Sequence, residues 1–432
     1  MTSSRKATAR SPASAKQERK ARPAPPRIAL ALAGGGPLGA IYEIGALCAL
    51  DDCLKGLNFN ACDHYVGVSA GGFIVAGLAN GMTPRQLCEV FIEDLPTEEN
   101  FDPSWLLKPA WAEFGHRLQR LPGLLGSALW AWGAQGKPLT NAFERVGAAL
   151  PTGLLDNEGI HQHIERLFSR EGRTNDFRQL RARLTLVATQ LDTGNAAPFG
   201  RPGWDHVPIS RAIQASAALP GLFPPVEIEG KHYVDGALKK TLHATVALDE
   251  GVGLLLCLNP LVPFHASDNP HSAKRIPSLV EGGLPAVMSQ TFRSMIHSRL
   301  ALGLKHYERA YPDSDIVLIE PDHRDAELFF ANTFSYRQRR EMAEHAYQQT
   351  RQQLRDRQDE LAPKLARHGV AIDTAVLTDP TRHLLARPCR SGSSRSWPAG
   401  ASATRRLHAT LDALQDQLGR PDSQVRKRAR SH

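Results

Sequence analysis

The sequence predicts an α/β fold with a central, mostly parallel sheet, and three observations carry that expectation. Ile28-Ala29-Leu30-Ala31-Leu32-Ala33 is a short apolar run that stops at three glycines, the pattern of a strand buried on both faces. Residues 40–54 then place Ile41, Ile44, Leu47, Leu50 and Leu54 at helical spacing. A second short strand, Tyr65-Val66-Gly67-Val68, follows, and the order strand, helix, strand implies a parallel βαβ unit.

The rest of the chain extends this pattern. Residues 71–79 read as a helix whose small side chains, Gly71, Gly72, Ala76 and Gly77, let it pack closely on a sheet. Strand character returns at residues 184–189, 253–258 and 315–319, with a hairpin-like strand at Lys231-His232-Tyr233-Val234. A long charged helical segment is expected over residues 335–367. Residues 96–150 differ in texture: they are rich in Pro and Leu and hold Trp105, Trp111, Trp130 and Trp132, and they are expected to form a helical insertion that caps the site. Tryptophan favours membrane interfaces, so lipid contact is the sharper expectation for this insertion and simple packing the plainer one.

At 432 residues the chain is long enough for one large α/β domain with appendages. Its formal charge of +8 is concentrated at the ends, in a basic leader over residues 1–26 and a Ser/Arg/Gly/Pro-rich tail over residues 388–432. Both read as solvated, disordered arms, with contact to an anionic membrane surface as the alternative; specific nucleic-acid binding is not expected, because no folded basic face is signalled. A catalytic domain is expected over residues 27–322 and a helical extension over 323–387. No run of apolar residues is long enough to span a membrane, and the leader lacks the apolar core of a secretory signal. The expected location is therefore cytoplasmic or peripheral to the inner membrane. The six cysteines show no CxxC pair, so neither zinc nor a disulfide framework is signalled, and no metal or cofactor is expected.

Chemistry concentrates at three points. Gly34-Gly35-Gly36-Pro37-Leu38-Gly39 follows the first strand and opens a helix, and Gly34, Gly36 and Gly39 satisfy the dinucleotide spelling GxGxxG. A glycine turn at a helix N-terminus exposes N–H groups to any anion, a pyrophosphate or the oxyanion of an acyl-transfer transition state. A dinucleotide site calls for an acidic residue at the end of the second strand, which ends here in Gly67-Val68-Ser69-Ala70-Gly71. That pentapeptide is GxSxG between a strand and a helix, the setting of a nucleophile elbow; the plain alternative is a helix-capping serine. Third, Asp235-Gly236-Ala237 follows the hairpin strand. Asp-Gly is also an ordinary turn. A nucleophilic serine needs a base, and among 17 histidines only His232 and His243 lie near this motif.

In this order and spacing GGGPLG, GVSAG and DGA resemble the signatures of the patatin-like phospholipase family, as does residues 211–225, RAIQASAALPGLFPP. The resemblance runs over residues 27–322, with Thr189-Gln190-Leu191-Asp192-Thr193-Gly194 fitting the third-strand region. It implies a three-layer αβα patatin-like fold and a lipid acyl hydrolase acting on lipid or phospholipid. It further implies Ser69 as nucleophile, Asp235 as its proton acceptor, no histidine, and an oxyanion hole drawn from Gly34, Gly35, Gly36 and Gly39. Gly67 and Gly71 would frame the elbow and Gly236 the DG turn. The sequence departs from the family at Leu38, where Arg or Lys is usual, and at Lys239-Lys240-Thr241, where Asn and Pro are more frequent. Two alternatives stand beside this reading: a catalytically weak lipid-binding or scaffold protein on the same fold, and a Ser-His-Asp carboxylesterase.

Overall fold

A computed structural model of the chain describes residues 27–93, 108–111, 113–115, 119, 150–265, 279–329 and 336–385. The basic leader, the basic tail and most of the Trp-rich insertion lie outside the described residues. The first strand, β1 (Ile28–Leu32), runs into α1 (Gly36–Cys53) and a two-residue strand β2 (Leu54–Lys55). β3 (His64–Val68) passes directly into α2 (Ser69–Ala79), followed by α3 (Pro84–Phe91). Thr83 and Gln86 form a reciprocal capping box that starts α3, satisfying N–H groups the helix cannot use itself.

Beyond the insertion come α4 (Glu158–Phe168), β4 (Arg183–Gln190), β5 (Ala196–Phe199), α5 (Ile209–Ser216) and a hairpin of β6 (Val226–Ile228) and β7 (Lys231–Asp235). Next are α6 (Thr245–Leu248), β8 (Leu254–Leu258), α7 (Gly283–Ala310) and β9 (Asp315–Ile319). The described chain closes with α8 (Ala326–Phe329), α9 (Tyr336–Asp356), α10 (Gln358–Ala366), β10 (Ala371–Ile372) and α11 (Thr374–Thr378).

β9, β8, β1, β3 and β4 pair side by side in parallel, while β5 and β7 join β4 antiparallel and β6 joins β7. The result is the mixed, mostly parallel sheet that the sequence predicts. Its two faces are written into the strands by alternation. Leu30, Leu32, Leu254, Leu256 and Leu258 face the large core shared with α1, α2 and α9, and Ala29, Ala31, Leu255 and Cys257 face the core shared with Leu300 and Tyr307 of α7. Helices on both faces leave no polar side to the central strands, so their continuous apolar runs follow from burial. Each of those leucines stabilises the fold by about 1.5–3 kcal/mol.

Two elements differ from expectation. The charged segment expected as one helix over 335–367 is two, because Arg357 leaves helical geometry (φ −107°, ψ 15°) while its guanidinium donates to the Leu318 carbonyl of β9. Helix α7, 28 residues long, was not anticipated, since apolar side chains occur on both its buried and its exposed faces.

One detail of the pairing sets the site. Leu186–Thr189 of β4 pair with β5 along one edge, so β3, paired with Arg183–Val187, and β7, paired with Ala188–Gln190, must share the other. Val68 of β3 lies opposite Val187 and Asp235 of β7 opposite Ala188. The two strands therefore meet end to end along one edge of β4, running in opposite directions. Their last residues bring Ser69 and Asp235 to one point.

Candidate active site

Ser69 begins α2 with φ +52°, a left-handed backbone that a non-glycine residue adopts only when its surroundings force it. Here the forcing groups are identifiable. The Ser69 N–H donates to the Ser216 Oγ at 2.8 Å, and that hydroxyl donates onward to the Val187 carbonyl at 2.6 Å. Gly71 donates its N–H to the Ala33 carbonyl at 3.0 Å. The turn is thus bolted to β4 through Ser216 and to β1 through Gly71. The role of Ser216 is not readable from sequence, since its partners are distant in the chain.

The glycines are required by contact. A Cβ on Gly71 would sit 2.2 Å from the Ala33 oxygen, one on Gly67 2.4 Å from the Gly72 Cα, and one on Gly236 2.1 Å from the Val187 oxygen. Gly34 faces Ser69 itself, where a Cβ would come within 2.8 Å of the serine Cβ. Gly36 differs, because it needs glycine only for its φ of +59° and borders open space. Gly71→Ala is accordingly expected to cost about 3 kcal/mol or more, and Gly36→Ala about 1 kcal/mol. Urea unfolding of the two variants checks the difference.

Asp235 is held from three sides. Its N–H donates to the Ala218 carbonyl (3.0 Å), its carbonyl accepts from the Thr189 hydroxyl (3.2 Å), and its carboxylate accepts the Ala237 N–H (2.8 Å). The Ser69 side chain lies near enough to the same carboxylate to favour its ionised form. Burial raises its pKa from the usual carboxylate value to about 6, with the Ala237 N–H and the neighbouring Ser69 side chain working in the opposite direction. The group is poised near neutrality.

The glycine loop lies beside this pair, because β1 and β3 are adjacent parallel strands whose carboxyl ends carry both turns. Among the described residues the N–H groups of Gly35, Gly36 and Ala70 make no hydrogen bond. They sit at the N-termini of α1 and α2, where helix dipoles favour negative charge. Gly39 is a correction to the expected donor set: its N–H is already committed to the Gly35 carbonyl at 3.0 Å. Gly39 instead provides room, since a Cβ there would come within 2.9 Å of the Pro260 ring, which also packs on Gly35. Behind that proline, buried Arg293 of α7 donates to the Pro260 and Val262 carbonyls (both 3.3 Å). This support for the loop leaves no sequence signature.

The remaining candidates fall outside the pair. His232 is exposed on β7. His243 is buried with its Nε2 3.3 Å from the Gly236 carbonyl, and burial lowers its pKa to about 4, so it steadies the turn as a neutral imidazole. Leu38 is half-buried against the main core. Lys239 donates to the Gly194 carbonyl and Thr241 to the Ile296 carbonyl, tying the DG turn to its neighbours. Of the insertion's tryptophans only Trp111 is described, and it is exposed.

Sheet, helices and elbow define an α/β protein with a serine at a strand-to-helix turn. The family model for patatin-like phospholipases matches residues 30–248, just over half of the chain, and the chain belongs to that family. Membership supports lipid acyl hydrolase activity in general terms. Among solved structures the chain is similar to VipD from Legionella pneumophila at 17% identity and TM-score 0.36, over 77% of this chain and 67% of that one. It is also similar to ExoU from Pseudomonas aeruginosa, in complex with SpcU, at 17% identity and TM-score 0.28, over 79% and 58%. A second structure of the type III effector ExoU gives 16% identity and TM-score 0.30, over 77% and 53%. The chain thus spans little more than half of the length of ExoU.

Proposed function

We propose that the protein is a serine hydrolase that cleaves acyl esters of lipids through a Ser69–Asp235 dyad. The observation that carries the reading is the placement of Ser69 beside a buried carboxylate, Asp235, where β3 and β7 meet end to end on β4. Ionised Asp235 takes the seryl proton as Oγ attacks the acyl carbonyl. Negative charge then develops on the carbonyl oxygen, and the free N–H groups of Gly35, Gly36 and Ala70 stabilise it. Collapse of this intermediate expels the alcohol, which takes the proton from Asp235 and leaves an acyl-Ser69 ester. Water, activated by the same carboxylate, releases the fatty acid. Family membership supplies the substrate class.

The pH dependence tests the assignment of the base. Asp235 works only when ionised, and its pKa lies at about 6. kcat/KM for a soluble short-chain ester is expected to rise about tenfold per unit up to that pH and to level off above it. Residual activity of Asp235→Asn should lose this limb. A limb that survives in Asp235→Asn and disappears in His243→Gln would assign the base to the histidine instead.

A further inference from the structure

Helix α7 carries a surface the proposed chemistry does not use. Ile296 packs against Val68, Val187 and Ala237 beneath the dyad, and Leu300 and Tyr307 pack further down the sheet. The residues before Phe292 therefore project past the carboxyl edge of the sheet, the edge at which Ser69 follows β3. Along the outer face of α7 and the turn leading into it, Val280, Leu284, Val287, Met288, Met295 and Leu302 fall on one stripe at helical spacing. Val280, Leu284 and Leu302 are 74%, 73% and 69% exposed. The intervening stripe positions, Thr291 and Ser298, are uncharged.

The charges beside the stripe are of one sign. Between Glu281 and Glu308 the sequence has no acidic residue but has Arg293, Arg299 and Lys305, of which Arg299 and Lys305 are exposed. Arg299 donates to the Leu238 carbonyl, which brings exposed Lys239 and Lys240 of the DG turn next to the helix. An apolar stripe flanked by cations is the pattern of a helix that lies in the interface of an anionic bilayer. Other exposed large apolar side chains, Leu191 and Leu222, flank the Asp235 side of the site: the Leu191 N–H donates to the His232 carbonyl of β7, and Leu222 follows the loop whose Ala218 receives the Asp235 N–H.

We infer that the outer face of α7 is the surface by which the protein seats on an anionic lipid bilayer, with the mouth of the site turned toward its substrate. The inference rests on the lipid-hydrolase reading for its purpose, but its test is independent of turnover. Full-length protein is co-sedimented with phosphatidylcholine vesicles with and without phosphatidylglycerol. Wild type is expected to bind the anionic vesicles and to be released by salt. The triple variant Leu284→Ser, Met288→Ser, Met295→Ser should bind at least about tenfold more weakly, with its melting temperature and its hydrolysis of a soluble ester unchanged. Met288→Ser alone, a milder change, should show a smaller loss in the same direction. Equal vesicle binding by folded variants and wild type overturns the inference. So does a wild-type dimer that the triple variant loses while its vesicle binding persists, which would make the stripe a subunit contact. Absence of any ester hydrolysis in wild type, with stripe-dependent vesicle binding intact, would sink the hydrolase reading and leave the membrane surface standing.

Discussion

Replacing Ser69 by alanine is expected to lower kcat for a soluble ester by about four orders of magnitude or more, with the fold retained. The size of the effect follows from the chemistry: without Oγ there is no acyl-enzyme, and the free N–H groups of Gly35, Gly36 and Ala70 have no attacking atom to assist. Retention of the fold follows from the geometry. Alanine keeps the backbone N–H that Ser216 receives and meets the same left-handed strain as serine at φ +52°. Glycine would relieve that strain, so Ser69→Gly should be equally inactive and more stable than Ser69→Ala by about 1 kcal/mol. Steady-state kinetics and thermal unfolding of the two variants separate loss of chemistry from loss of structure.

Asp235→Asn should separate activity from stability in opposite directions. Asparagine can still accept the Ala237 N–H, yet it cannot take the seryl proton, so hydrolysis is expected to fall by about three orders of magnitude or more. Stability should move the other way. A folded-state pKa of about 6 against an ordinary 3.8 means that the folded protein holds this proton more tightly than the unfolded chain does. As pH rises from about 4 through 6 the folded state therefore loses stability, by about 3 kcal/mol. Above pH 7 the asparagine variant should be the more stable by up to that amount, and below about pH 4 the two should converge. Urea midpoints at pH 4 and pH 8 measure the difference, and an asparagine variant less stable at pH 8 would contradict the account of a desolvated carboxylate.

Much of the sheet was legible because its strands are short apolar runs bounded by glycine, proline or polar residues. Residues 28–32, 184–189 and 315–319 needed no long-range information to be read as buried strands. The glycines of the two turns were legible for a steric reason that the contacts at Gly67, Gly71 and Gly236 make explicit. What stayed hidden is non-local. That β3 and β7 meet end to end depends on how β4 divides one edge between them, and no pattern within either strand encodes it. Ser216 supports an elbow 147 residues away through a hydroxyl that reads, in sequence, as one more polar residue near a helix end. Helix α7 escaped because its inward residues, half-buried Phe292 and buried Ile296 and Leu300, and its exposed ones, Leu284, Met288 and Met295, together erase the amphipathic period. The glycine loop was ambiguous by its spelling, and the partners of its N–H groups, visible only in the fold, distinguish Gly35 and Gly36 from Gly39.

The central claim is that Ser69 is an activated nucleophile with Asp235 as its base. It is tested most directly by treating the full-length protein with a fluorophosphonate probe and mapping the modified peptide. The account predicts a single adduct on Ser69, formed rapidly at pH 8, absent in Ser69→Ala and strongly slowed in Asp235→Asn. An adduct on another serine, or labelling of Ser69 that proceeds undiminished in Asp235→Asn, would contradict it.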